Sequence, residues 1–230
     1  MTTAIAPNPP AAPPPTPGGW ATVADLLHQL GDVPPERVRM TPYPGTATLA
    51  DLIEANEHKN GVTCEWVDGT LVEKAMGFTE SGLAAILLFE FEFYLRQNDI
   101  GMVTAPDGVM KILPGIGRAP DVGFLRWESF PGGKMPPRSD AVPAVVPDLA
   151  VEVLSKSNRP REVARKRDEY FRAGVKRVWV IDPKTRSANV FTGPDAVQPV
   201  PPDGTLDGED ILPGFQLSLK AVFDRAERRG

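Results

Sequence analysis

The stretch Leu149-Ala150-Val151-Glu152-Val153-Leu154, bounded by Pro147-Asp148 before it and Ser155 after it, decides the fold. A short apolar run between turn residues reads as a strand buried on both faces. Glu152 breaks that run. A carboxylate there costs free energy unless a cation, a metal or hydrogen bonds compensate it. Glu152 is therefore a functional-site candidate, and a structural ion pair is the plain alternative.

Working outward, residues 160–173 read as a helix with Pro160 near its first position and Gly174 as its stop. Val178-Trp179-Val180-Ile181 follows as a strand, the turn Asp182-Pro183-Lys184-Thr185 comes next, and residues 188–192 form its antiparallel partner. Strand, crossover helix and strand make a parallel pair inside a mixed sheet. Upstream, Asp68-Gly69 between residues 64–67 and 70–73 is a hairpin signal. Residues 79–97 read as the longest helix, and residues 101–104, 109–113 and 122–126 as short strands. A Pro/Gly-rich loop spans 127–146, and a Pro/Gly/Asp linker leads to a last helix near 217–225. Short helices are expected over 21–30 and from Thr48, an N-cap with Asp51 three residues on, to Asn56. The expected organisation is a Pro-rich disordered tail (1–17), a helical arm (18–60) and a single α/β domain (61–230).

Composition narrows the function. The chain has 230 residues, 41% hydrophobic and 24% charged, which is ordinary for a globular protein. Its net charge of −5 excludes a general nucleic-acid sponge, so phosphate contacts need a local patch or a metal. The lone Cys64 excludes an intrachain disulfide and reads as a small buried hydrophobe. No stretch is long enough to span a membrane, and the N-terminus lacks a signal-peptide pattern, so a cytoplasmic location is expected. His28 and His58 show no metal-ligand spacing, and no phosphate-cradling Gly loop follows a strand.

The partners of Glu152 come next. Asp121 begins the strand Val122-Gly123-Phe124-Leu125, where a carboxylate suits a metal. The chain's other Pro-Asp pairs make a turn residue the plain alternative. On the 160–173 helix, Val163, Arg167, Tyr170 and Phe171 point roughly one way, with Lys166 at the edge of that stripe. Arg161, Arg165 and Arg172 fall opposite. A snorkelling lysine is the alternative for Lys166. Residues 159–177 are locally basic and read as a solvated face before a phosphate-facing patch. Glu80, in the first turn of the long helix, is a further candidate, although the helix dipole alone favours it there. Glu65 and Glu73 are expected to face solvent. Two carboxylates suit a hard cation such as Mg²⁺ or Mn²⁺, and a nearby ammonium stabilises negative charge. The reaction class is metal-assisted phosphodiester hydrolysis.

The chain resembles the Uma-two family of endonucleases, within the PD-(D/E)XK, restriction-endonuclease-like superfamily. The resemblance spans about residues 64–223. It rests on Glu65-Trp66-Val67-Asp68-Gly69, Pro120-Asp121-Val122, the run from Pro147 to Ser155, and the segment from Lys166 to Val175. Trp179-Val180-Ile181-Asp182-Pro183 and Leu212-Pro213-Gly214-Phe215 complete it. It implies a central mixed β-sheet flanked by helices. It makes Asp121 and Glu152 the metal ligands and DNA the substrate. The superfamily's usual lysine, two residues after the second acid, falls on Leu154; in this family it looks displaced to the next helix, which lands on Lys166. Relatives often carry a histidine where this chain has Glu80-Ser81. By analogy a homodimer is a candidate assembly, since cutting two strands often uses two sites. Competing readings are a catalytically degenerate module that binds nucleic acid or protein, and a structural Glu152–Lys166 ion pair in an unrelated protein.

Overall fold

The structure is a computed structural model that describes residues 19–57 and 62–228. The expected disordered tail and His58 lie outside the described residues. The elements follow in the order α1 (Val23–Gln29), α2 (Leu49–Glu57), β1 (Cys64–Val67), β2 (Thr70–Glu73), α3 (Phe78–Leu95), β3 (Gly101–Thr104), β4 (Met110–Leu113), β5 (Ile116–Arg118) and β6 (Val122–Arg126). After a loop with two 3₁₀ turns come β7 (Leu149–Val153), α4 (Pro160–Ala173), β8 (Arg177–Asp182), β9 (Ser187–Phe191), β10 (Val197–Val200), β11 (Thr205–Asp207), β12 (Gln216–Ser218) and α5 (Leu219–Ala226).

Six strands form the main sheet in the order β10-β9-β8-β7-β6-β3. Only β7 and β8 run parallel, as a strand-helix-strand crossover requires, and every other neighbouring pair is antiparallel. The Asp68-Gly69 turn joins β1 and β2 with positive φ at both residues (48° and 73°), as a two-residue hairpin needs. That hairpin belongs to a second sheet, β2-β1-β5-β4. The strand β5 was not expected, nor were β10, β11 and β12, which replace much of the expected Pro/Gly/Asp linker.

Alternation along the strands sorts side chains between two layers. On β7, Leu149, Val151 and Val153 join Leu83, Leu87 and Phe91 of α3 and Leu219, Val222 and Phe223 of α5 in one core. Ala150 faces the other way, into a core shared with Val67, Val72, Ile116 and Tyr170. The small sheet and α4 therefore cover the face of the main sheet toward which Glu152 points. On the outer side of the small sheet, Leu52 of α2 packs with Cys64 and Leu71. Helix α1 docks through Leu26 and Leu30 into the inter-sheet core. Gly31 permits that approach, because a Cβ at this position would sit 2.7 Å from the Glu162 Cα. Among the described residues, no helix is long and apolar enough to cross a membrane.

Candidate metal centre

Register brings the two acids together. β6 and β7 pair antiparallel with Val122 opposite Val151. Just beyond that register, the Asp121 N–H donates to the Val151 carbonyl at 2.9 Å and the Asp121 charge acts on Glu152, so the two acids are neighbours at this end of the strands. Like charges brought together across a strand pair are destabilising. Both acids are buried, at 2% and 8% exposure. Burial pushes the Glu152 carboxyl above its ordinary value, and the charge of Asp121 adds to this while Lys166 opposes it.

Protein cations hold the pair together. Lys166 Nζ lies 3.3 Å from Glu152 Oε2, and the Tyr170 hydroxyl donates to Glu152 Oε1 at 2.7 Å. The Val153 N–H donates to Asp121 Oδ2 at 2.7 Å. Asp121 Oδ1 is 2.8 Å from Lys74 Nζ, yet it receives no aligned hydrogen bond. Lys74 also donates to the carbonyls of Ala119 (2.6 Å) and Pro106 (3.1 Å).

Glu65 corrects the expectation of a solvent-facing hairpin residue. It is fully buried. Lys166 Nζ lies 3.1 Å from its Oε1, Arg118 donates to its Oε2 at 2.7 Å, and the Ala119 N–H donates at 3.2 Å. Burial alone would raise its carboxyl; Lys166, Arg118, Lys74 and the Ala119 N–H outweigh that and bring it to about 2. Burial would likewise lower the Lys166 ammonium, but Glu152 and Glu65 raise it above the ordinary lysine value. Lys166 is thus a cation at neutral pH. Glu73 keeps partial exposure and pairs with Arg39.

Helix α4 presents a different stripe from the expected one. Its buried positions are Glu162, Lys166, Glu169 and Tyr170, so Lys166 stands at the centre of the stripe rather than its edge. Arg37 forks onto Glu162 at 2.8 and 3.0 Å, and Arg118 reaches Glu169. Arg165 does not point away. It turns back to Glu169 and Asp68, each at 2.7 Å. The basic run is largely neutralised within the chain, since Arg161 pairs with Asp32, Lys176 with Asp148, and Arg177 with Glu209. It forms neither a wholly solvated face nor an open phosphate patch.

Glu80 is placed in the first turn of α3 with its carboxylate folded toward Gly77. It is not among the largest influences on the Glu152 carboxyl. Lys74 and Arg118 were missed by sequence reading. One signal was available for Lys74: it lies two residues beyond the inward-facing Val72, hence on the same face if the strand continues.

The residues fit a divalent cation. A neighbouring pair of buried carboxylates, one with an oxygen lacking an aligned hydrogen bond, is an arrangement that positive charge relieves. Among the described residues no cluster of three or more His, Cys, Asp or Glu side chains forms a dedicated cage. Mg²⁺ commonly takes only one or two carboxylates and keeps its waters.

Two sheets with the acid pair between them define a restriction-endonuclease-like fold, and a solved structure agrees. The chain is similar to a protein described as a "putative nuclease belonging to DUF820" from Anabaena variabilis, with a TM-score of 0.63 and 17% identity over 71% of this chain and 91% of that one. The model of the Uma2 family, described as "Putative restriction endonuclease", matches residues 49–220, and the chain belongs to that family. No curated protein matches it significantly.

Proposed function

We propose that this protein is a Mg²⁺- or Mn²⁺-dependent endonuclease that hydrolyses phosphodiester bonds in DNA. The observation that carries this reading is the nearness of the buried Asp121 and Glu152 where β6 and β7 pair, with Lys166 from the crossover helix on Glu152. Asp121 and Glu152 would hold the cation, which when bound supplies a Lewis acid for a phosphate oxygen and a more acidic water. The chain's own groups do the positioning. Tyr170 and Lys166 fix the two oxygens of Glu152, and the Val153 N–H fixes one oxygen of Asp121. Lys166 also offsets the charges of Glu152 and Glu65, which keeps the two acids in place beside the metal position.

The test is nicking of supercoiled plasmid with Mg²⁺ or Mn²⁺ by the wild type, Asp121→Ala and Glu152→Ala. Cleavage by the wild type alone is expected. Equal activity in all three proteins overturns the proposal. One observation favours a second reading, a catalytically silent module that binds nucleic acid or protein on the same scaffold: both oxygens of Glu152 are already engaged by the protein. Folded wild type that takes up no divalent ion would select it.

A further inference from the structure

Two buried ammonium groups flank the acid pair, and their surroundings differ. Lys166 Nζ is enclosed between two carboxylates, Glu152 and Glu65, at 3.3 and 3.1 Å. Its single positive charge is already exceeded by the negative charge around it. Lys74 Nζ directly touches one carboxylate, Asp121, and two neutral carbonyls, Ala119 and Pro106, while its charge also acts on Glu65 and Glu152. One carboxylate touches it directly where two touch Lys166.

Their access differs too. Lys74 follows β2, and the chain continues through Met76 and Gly77 into the first turn of α3. This bend borders an open pocket of about 400 Å³ lined by Thr63, Lys74, Met76, Gly77, Ser81 and Asp107, among others. Among the described lining residues, Lys74 is the cation, Ser81 adds a hydroxyl and Asp107 a carboxylate. The pocket thus touches the Asp121 side of the acid pair through Lys74, where a phosphate oxygen could meet an ammonium. An ammonium also cannot share the Asp121 Oδ1 position with a second cation without repulsion, so loading of Asp121 favours a turn of Lys74 toward the pocket.

We propose that Lys74 is the residue that contacts the scissile phosphodiester, entering from the pocket at the start of α3, and that Lys166 positions Glu152 without touching substrate. This rests on the nuclease reading, so its test carries a readout independent of cleavage. Binding of a fluorescent duplex oligonucleotide is followed by anisotropy across a salt series with Ca²⁺ in place of Mg²⁺ to load the acid pair, beside plasmid nicking with Mg²⁺, for the wild type, K74M, K74R and K166M. Loss of one phosphate contact lowers the slope of log affinity against log salt by about 0.9. That drop is expected in K74M, with K74R and K166M keeping the wild-type slope. In nicking, K74M is expected to lose at least about 100-fold in kcat, with partial recovery in K74R.

The outcomes separate the two claims. Wild type that binds DNA but never nicks refutes the nuclease reading, while the slope still decides Lys74. Wild type that nicks, with K74M equal to it in slope and rate, makes Lys74 a structural tether of the Ala119 and Pro106 carbonyls and overturns the proposal. Wild type that binds no DNA overturns both. Should K74M fail to fold, K74Q carries the same expectation, and failure of both to fold also assigns Lys74 to structure.

Discussion

Replacing Glu65 by Gln probes the buried charge network most sharply. The change keeps the side chain's size and removes one charge from a site with no solvent exposure. Glu65 serves Lys166, Arg118 and the Ala119 N–H at once. Its carboxyl is brought from 4.5 to about 2, and a drop of that size corresponds to about 3 kcal/mol of stability at neutral pH. This agrees with the roughly 3–5 kcal/mol lost when one member of a buried ion pair is removed. For a chain of this size the melting temperature should fall by about 6–12 °C. The sign with pH follows from a depressed carboxyl: the contribution is complete above 4.5 and disappears as pH falls toward 2. Urea unfolding of the wild type and E65Q at neutral pH, and again at a pH between those two values, measures both effects. The gap should be about 3 kcal/mol at neutral pH and shrink in acid. A gap below about 1 kcal/mol, as for an exposed ion pair, or one that does not change with pH, would refute the reasoning.

Glu152→Gln should behave in the opposite sense. Burial and Asp121 raise the Glu152 carboxyl, so its ionised form weakens the metal-free fold as pH rises above 4.5. Thermal melts in EDTA should find E152Q as stable as the wild type or more so at neutral pH, with the advantage gone in acid. Lys166→Met should destabilise by about 3–5 kcal/mol, because it strands Glu152 and Glu65 together; chemical denaturation reads this. Gly31→Ala, which sets a Cβ against the Glu162 backbone at a φ of 93°, should cost more than about 1 kcal/mol and loosen the α1–α4 contact, visible as faster hydrogen exchange in α1.

Local signals carried much of the architecture. The hairpin was legible because Asp68-Gly69 supplies its two positive-φ residues, and α4 because Pro160 and Gly174 punctuate both ends. The β7 strand was legible from its apolar run alone. β5 was not, since Ile116-Gly117-Arg118 has neither length nor alternation, and its place is set by pairing with β1 and β4. β10 carries three exposed residues, Pro199 among them, and is held as an edge partner of β9.

The site divides in the same way. Asp121, Glu152 and Lys166 were legible as candidates from strand position and helical spacing, and Lys166 lies on Glu152 with Asp121 close by. Glu65 was misjudged because a glutamate beside a hairpin turn usually faces water. Its cross-strand partner Val72 and its same-face neighbour Val67 are both buried, and that apolar setting was the available warning. Arg118 had no such signal. Its burial makes sense only once Glu65 and Glu169 meet it from other elements.

The central claim is that Asp121 and Glu152 are kept close to each other to hold a divalent cation. Calorimetric titration of Mn²⁺ and Mg²⁺ into the wild type, D121A and E152Q tests it most directly. The account predicts saturable binding at millimolar concentration or below by the wild type, with proton release if Glu152 is partly protonated, and none by either variant. Folded wild type that takes up neither ion, or variants that bind as well as it does, would contradict the account.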